Sequence, residues 1–379
     1  MSHAVLSPSA AGRWLVCTPS ARLEERFPDK AGDFAQEGSL AHEFGEAILK
    51  GSDESHLSKL RTEKFYSEEM EEYARGYAEF VQEKFELAKR ATPDAVLRIE
   101  EKIDLTAYVP EGFGTGDAII LADGTLDIID LKYGKGVPVS AVENKQMMLY
   151  ALGALDMFGF MYAIDKVRMT IYQPRLDSIS EYELPADDLV AWGEDVLKPA
   201  AASAFKGEGD FVPGKHCQFC RVKAQCRALA ERNLKAAEHE FDDVALLSDG
   251  ELADILTRAE GIKSWINAVE EFALQAALEG KTIPGFKLVE GRSVRRYSDE
   301  GKVAETLIAN GFKKENIYDP PKLKTITSME KLITKKAFAA LLGSLVVKPQ
   351  GKPTLVPASD KRPELNDAKK DFENISIND

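Results

Sequence analysis

The chain has 379 residues, 44% of them apolar and 30% charged, with a formal net charge of −14 at pH 7. It exceeds one typical domain and has the composition of an ordinary soluble globular protein, so one large domain with a smaller appendage is expected. The acidic balance excludes a protein that coats nucleic acid through bulk electrostatics, while leaving room for an enzyme that grips a strand in a local basic groove with salt-sensitive affinity. No apolar run approaches a membrane span and the N-terminus lacks the basic-then-apolar layout of a signal peptide, so a reducing cytoplasm and no membrane partner are expected.

In chain order, Ser7 and Pro8 start a short helix ending near Cys17. A second helix, Gly38 to Lys50, buries Leu40, Phe44, Ala47 and Ile48. His42 and Glu46 lie one turn apart on it; alone, His42 reads as a packed or exposed histidine, and Glu43 and Glu46 read as solvated charges. Glu68 to Arg90 is a long charged helix whose Met70, Tyr73, Tyr77, Phe80, Val81 and Phe85 form an apolar stripe, read as core. Ala95 to Ile103 is the first strand, and Glu100 reads there as an exposed strand acid, with a place in the outer shell of a site as the alternative.

A hairpin follows. Asp117 to Leu121 and Leu126 to Leu131 are β-rich runs joined by Asp123-Gly124, the strongest short-range hairpin signal. With those two residues as the loop, Ala122 faces Thr125, and equal steps outward put Asp117 opposite Asp130. Their Cβ atoms then lie roughly 5 Å apart, close enough to ligate one divalent ion. Lys132, two residues beyond Asp130, projects from the same face. Opposed like charges destabilise a strand pair, and a cation removes the conflict. After the Gly134 to Pro138 loop comes a helix with Gln146 and Tyr150 one turn apart. Lys166 to Gln173 is a further strand and Ala186 to Phe205 a helix, an order that fits a mixed sheet with helices on both faces.

The set Asp117, Asp130-Leu131-Lys132 and Gln146-x-x-x-Tyr150 resembles the PD-(D/E)xK nucleases of the RecB-like branch. The resemblance implies an α/β, restriction-endonuclease-like fold: a mixed central sheet flanked by helices over residues 1–240, a mainly helical extension at 241–345, and an extended or disordered tail at 346–379. It also implies a divalent-metal-dependent DNA exonuclease, working on single strands or DNA ends in recombination, repair or phage replication, of phage or prophage origin and with a helicase or single-strand annealing protein as partner. His42, Asp117, Asp130 and the Leu131 carbonyl would hold Mg²⁺ or Mn²⁺, the imidazole favouring Mn²⁺. Lys132 would orient the attacking water or stabilise developing charge, and Gln146 and Tyr150 would position the strand and support the acids.

The cysteines form one pattern, Cys17 and then Cys217-x-x-Cys220-x5-Cys226. A reducing compartment disfavours disulfides, so a metal or cluster is the better account of grouped thiols. The pattern resembles the [4Fe-4S] clasp of AddB-type and CRISPR adaptation exonucleases; Zn²⁺, with His216 as a substitute ligand, and unliganded thiols are the alternatives. Its expected role is structural, holding the His42 helix against the hairpin.

From Ser248, with a capping-box Glu251, to Gly280 runs a long amphipathic helix carrying Leu252, Leu256, Trp265 and Ile266, expected to pack on its own domain. Phe286 to Tyr297 suggests a hairpin that brings Arg292, Arg295 and Arg296 beside Tyr297, followed by helices near Lys302 to Asn310 and Met329 to Leu342. Lys322, Lys324, Lys331, Lys335 and Lys336 make this region basic, as a phosphate-tracking surface or simply a solvated face. The chain has no internal repeat and no phosphate-binding Gly-rich loop, so an ATP-driven motor would be a separate protein. Two other functions fit less of this pattern: a catalytically inactive nucleic-acid-binding scaffold with a structural metal or iron-sulfur site, and an iron-sulfur redox protein acting on another subunit.

Overall fold

The computed structural model describes residues 4–27, 32–237, 248–289, 299–310, 313, 335–342 and 345–346. The chain separates into two compact units, Met1–Ile283 and Pro284–Asp379. The first begins with α1 (Ala11–Trp14), α2 (Ser20–Glu24), α3 (Asp33–Leu49), α4 (Glu54–Leu60) and α5 (Glu68–Ala91). Strands β1 (Val96–Asp104), β2 (Phe113–Ala122) and β3 (Thr125–Leu131) follow, then α6 (Lys145–Phe158), β4 (Lys166–Gln173) and β5 (Ser178–Pro185). Helix α7 (Ala186–Trp192) continues through a π turn into α8 (Lys198–Lys206), and a 3₁₀ turn, Lys215–Phe219, leads to α9 (Arg227–Ala237) and α10 (Asp249–Leu278). In the second unit the described helices are α11 (Glu300–Ala309) and α12 (Lys335–Leu342), with Phe338 buried.

The five strands form one mixed sheet in the order β1-β2-β3-β4-β5, antiparallel except for the parallel pair β3/β4, whose crossover carries α6. Strand alternation divides its residues between two layers. Ile119, Leu121, Leu126 and Ile128 pack with Met147, Leu149 and Leu152 of α6, and with Leu189 and Ala201 of the following helices. Ala118, Ile120, Ile129 and Leu131 pack instead against Tyr77 and Val81 of α5. Helices α3, α4 and α5 share a further core of Leu40, Phe44, Leu57, Leu60 and Met70. Both faces are therefore covered, and the chain is an α/β protein with a mixed sheet.

Local signals fix the two helices that matter for the site. The Ser67 side chain caps α5 by accepting from the Met70 N–H at 3.1 Å, with Glu68, Glu69 and Glu71 in the first turn and Lys89 and Arg90 in the last. Asn144 caps α6, accepting from the N–H groups of Gln146 and Met147, so Gln146 sits in its first turn.

Some expectations need correction. Helix α3 starts at Asp33 rather than Gly38, extending through the glycine. Strand β5 was not foreseen; it is an edge strand of alternating exposure that turns back from β4 through Asp177, which sits at φ 47°. Helix α10 has the expected capping box, with Ser248 Oγ and the Glu251 carboxylate serving each other's backbone N–H. Its apolar stripe packs in part: Ile255, Ile262, Trp265, Val269 and Phe272 are half-buried and Ala276 is buried, while Leu252, Leu256 and Ile266 are exposed. The expected nuclease segment, 1–240, lies within the first unit, which continues through α10 because that helix packs along the Lys215–Phe219 turn. The expected hairpin beyond residue 289, Lys322, Lys324 and Lys331, and the tail from Lys348 lie outside the described residues.

Gly114 marks a close approach. A Cβ there would lie 2.6 Å from the Tyr150 ring and 3.0 Å from Pro8. Gly114→Ala is expected to cost roughly 1–3 kcal/mol through overpacking, read as a lower urea midpoint with an unchanged slope.

Candidate metal centre and thiol cavity

The β2/β3 register runs from Ala122↔Thr125 to Ala118↔Ile129, with Gly124 taking the positive φ of 79° at the turn. Continued one step past the last paired residues, this register sets Asp117 across from Asp130. At that step the Leu131 N–H donates to Asp117 Oδ2 at 2.7 Å. Both acids are buried, at 8% and 2% exposure.

Other elements bring partners to this pair. From α3, His42 Nδ1 lies 3.2 Å from Asp117 Oδ2. From α6, Gln146 Nε2 donates to Asp130 Oδ1 at 3.2 Å, and Gln146 Oε1 accepts from Lys132 Nζ at 3.1 Å. The Tyr150 hydroxyl, one turn along, is 3.3 Å from Gln146 Nε2. Lys132 Nζ stands 2.7 Å from Asp130 Oδ2, yet that oxygen has no aligned hydrogen bond among the described residues. The structure thus joins His42, Asp117, Asp130, Lys132, Gln146 and Tyr150 in one network, and brings in Leu131 through its amide.

Glu100 belongs here too, which corrects the expectation of an exposed strand acid. It falls between the pairs Ile99↔Ala118 and Glu101↔Gly116, hence across from Asp117, and adopts φ 50°. Left-handed backbone at a non-glycine costs on the order of 1–3 kcal/mol, so the surrounding structure imposes it. Ligand atoms of Glu100, His42 and Asp117 lie within 4.8 Å of one another. The Tyr77 hydroxyl, buried on α5, has no hydrogen-bond partner among the described residues. Tyr77 lies in the core, as its place in the apolar stripe predicts, with its hydroxyl in the field of these acids.

The acids titrate apart. Burial works against ionisation of Asp117, but the His42 charge and hydrogen bond, with Lys132, hold its pKa below the usual carboxylate value. Burial raises Asp130, and Asp117 repels its charge, against the pull of Lys132. Burial also opposes the charge on His42, but Asp117 and Asp130 outweigh it and raise the imidazole to about 9. Burial and the Asp117 charge push Glu100 up to about 7. Lys132 is raised despite burial, because Asp130 and Asp117 favour its ammonium form. The carboxylates of Glu100 and Asp117 with the His42 imidazole, within one ion's span, are a donor set suited to a divalent cation, while Asp130 stands beside it paired with Lys132.

The four cysteines lie away from this centre. Cys17, Cys217, Cys220 and Cys226 line one cavity together with Arg13, Ser20 and His216, and none is in a disulfide. Burial raises the Cys17 thiol, with Cys217 and Cys226 adding to it, and burial pushes Cys220 up to about 12. Among the described residues no three of these sulfurs lie within 4.8 Å of one another. Four sulfurs around one zinc at its usual bond length would be about 3.8 Å apart. His216 Nε2 is 2.9 Å from the Val212 carbonyl oxygen, which leaves Nδ1 as the ring nitrogen free to ligate. Polar contacts join the same segments: Arg13 pairs with Glu24 at 2.7 Å and donates to the Phe219 carbonyl at 3.2 Å, and Glu24 accepts from the Arg221 N–H at 2.8 Å.

A family model described as "Protein of unknown function (DUF2800)" matches residues 3–363. The chain belongs to the DUF2800 family. It is similar to a solved structure described as "Crystal structure of SSO0001", at 16% identity over 56% of this chain and 95% of that one; the TM-score of 0.22 carries no argument about either. Among the described residues of this DUF2800 chain, no helix is long and apolar enough to cross a membrane.

Glu100 and His42 both bind protons more tightly in the folded state. Their contributions to the stability of the metal-free chain are therefore full at low pH and lost as pH rises, Glu100 between 4.5 and 7 and His42 between 6.5 and 9. Thermal melts without added metal should show the wild-type advantage over Glu100→Gln shrinking across the first window, and that over His42→Gln across the second. Excess Mn²⁺ should restore stability at the upper end, where the ligands are deprotonated.

Proposed function

We propose that the chain is a divalent-metal-dependent deoxyribonuclease of the PD-(D/E)xK, RecB-like kind, with a restriction-endonuclease-like core, acting as an exonuclease on single strands or DNA ends. One observation carries this reading: His42 from α3, Asp117 from β2, and Asp130 and Lys132 from the end of β3 meet at one site, and Gln146 of α6 bonds both Asp130 and Lys132. The five-stranded mixed sheet with helices on both faces supports the fold part of the reading.

Asp117, Asp130 and His42 would hold Mg²⁺ or Mn²⁺, with Glu100 within reach and the Leu131 carbonyl as a further donor. A bound ion there would polarise the scissile phosphate and lower the pKa of an attacking water. Lys132, kept as an ammonium by the two acids, stabilises negative charge building on the phosphate or orients the water. Gln146 fixes the Lys132 ammonium relative to Asp130, and Tyr150 braces Gln146. The thiols line one cavity, and this reading gives them a [4Fe-4S] cluster, with Zn²⁺ as the alternative. A helicase or annealing protein is the partner this reading implies.

An inactive DNA-binding scaffold is the second reading, and opposed buried acids beside a charged lysine tell against it, since a scaffold gains nothing from them. End-labelled single- and double-stranded DNA incubated with Mn²⁺ or Mg²⁺ should be shortened by the wild type. Lys132→Ala should lower the rate by at least a hundredfold in protein still folded at the assay temperature, although losing the cation beside buried Asp130 lowers its melting temperature. Activity retained by that variant would remove Lys132 from the chemistry, and inactivity of the wild type under all metals would favour the scaffold.

The anaerobically purified protein should be brown and absorb near 400 nm, and Cys17→Ser should bleach it and lower its thermal stability. A colourless protein with one equivalent of zinc would replace the cluster by zinc.

A further inference from the structure

A second cavity, of about 630 Å³, lies behind the thiol segment between the Lys215–Phe219 turn, α9 and α10. None of the metal-centre residues lines it. Its charged lining is Lys215, Lys223, Arg232 and Arg258 against the single acid Glu260, an electropositive recess in an acidic protein. Two of these cations are already engaged: Arg258 pairs with Asp254 at 2.8 Å, and Lys223 Nζ donates to the Gln218 carbonyl at 2.9 Å. Lys215 and Arg232 have neither an ion pair nor a side-chain hydrogen bond among the described residues.

Two lining residues also carry buried donors without an acceptor. Asn233, at 4% exposure, leaves Nδ2 unpaired, and Trp265 leaves Nε1 unpaired, among the described residues. Buried polar atoms are nearly always hydrogen-bonded, and a donor left without an acceptor is costly. The lining's unpaired charged groups are Lys215 and Arg232 against the single carboxylate of Glu260, and the two orphaned donors, an amide N–H and an indole N–H, lie just beneath its wall. The ligand that complements them is anionic and rich in acceptor oxygens. The volume is in the range of sites that enclose an organic molecule, far beyond what a bare oxyanion fills. The indole supplies an aromatic surface, and indole next to lysine and arginine is the pairing that holds a base and its phosphate.

We propose that this cavity binds a nucleoside phosphate, free or as one unit of a single strand, with the phosphate on Lys215 and Arg232 and the base against Trp265 and Asn233. It stands apart from the hydrolytic reading, since it shares no residue with the metal centre. Cys217 lines both this cavity and the thiol cavity, so the thiol segment also forms its wall.

The test uses the full-length chain as Asp117→Asn, which the hydrolytic reading makes unable to cut. Tryptophan emission is followed while dAMP, a short 5′-phosphorylated oligothymidylate or inorganic phosphate is added at several salt concentrations. The expected result is quenching by nucleotide or oligonucleotide that disappears in Trp265→Phe and weakens with salt. Arg232→Gln and Lys215→Gln should each reduce affinity about tenfold, with unchanged melting temperatures. Binding of dAMP as well as the oligonucleotide identifies a free nucleotide as a sufficient ligand; binding of the oligonucleotide alone identifies the strand. Quenching that survives both cation substitutions, equal binding of inorganic phosphate, or no binding at all overturns the proposal. Cleavage by the wild type is measured separately, so failure here and failure of the nuclease reading are distinguishable.

Discussion

Two carboxylates facing each other across β2 and β3, at the buried end of a covered sheet, are the constraint that the surroundings answer. Asp117 and Asp130 are nearly inaccessible to water, and uncompensated buried charge costs several kcal/mol. Each neighbour is a cation or a donor: His42 from α3, the Leu131 amide and Lys132 from β3 and its end, and Gln146 from α6. These arrive from both layers of the sheet, so the layers cannot shift against each other without unpairing an acid. Lys132 Nζ answers Asp130 Oδ2 at 2.7 Å, while Glu100 adds a third carboxylate beside Asp117. That excess of carboxylates is why a hard cation suits the site as a proposal.

How far the sequence could be read depended on how local the deciding interaction was. The Asp123-Gly124 turn joins adjacent strands with two residues, so the register that opposes Asp117 and Asp130 followed from counting. Gln146 and Tyr150 needed only helical periodicity, and β4 was bounded by its own alternation. Glu100 was not legible because β1 reaches β2 through a longer connection that leaves the register open, and because its left-handed backbone breaks the alternation on which the reading relied. Tyr77 fitted an apolar stripe correctly, but nothing in a stripe says where a hydroxyl ends. The recess behind the thiol segment was likewise invisible, since it arises where α9 and α10 meet a turn far from both in sequence terms.

The thiol segment and the metal centre divide the work of the first unit. One closes residue 17 onto residues 217–226, with the Arg13, Glu24 and Arg221 contacts alongside the sulfurs. The other fixes the catalytic geometry in the proposed reaction. Trp14 of α1 shares one core with Met147, Leu149 and Leu152 of α6, so packed side chains join the two regions.

The strand order of the sheet also bears on how the molecule is made. Every strand pairs with its immediate predecessor in the chain, so each can dock as it leaves the ribosome, without waiting for a distant partner. The cysteines follow the opposite rule, since the thiol near the start must wait while some 200 residues are synthesised before its three companions exist. Any prosthetic group shared by those sulfurs would therefore be loaded only after all five strands, which end at Pro185, have been made.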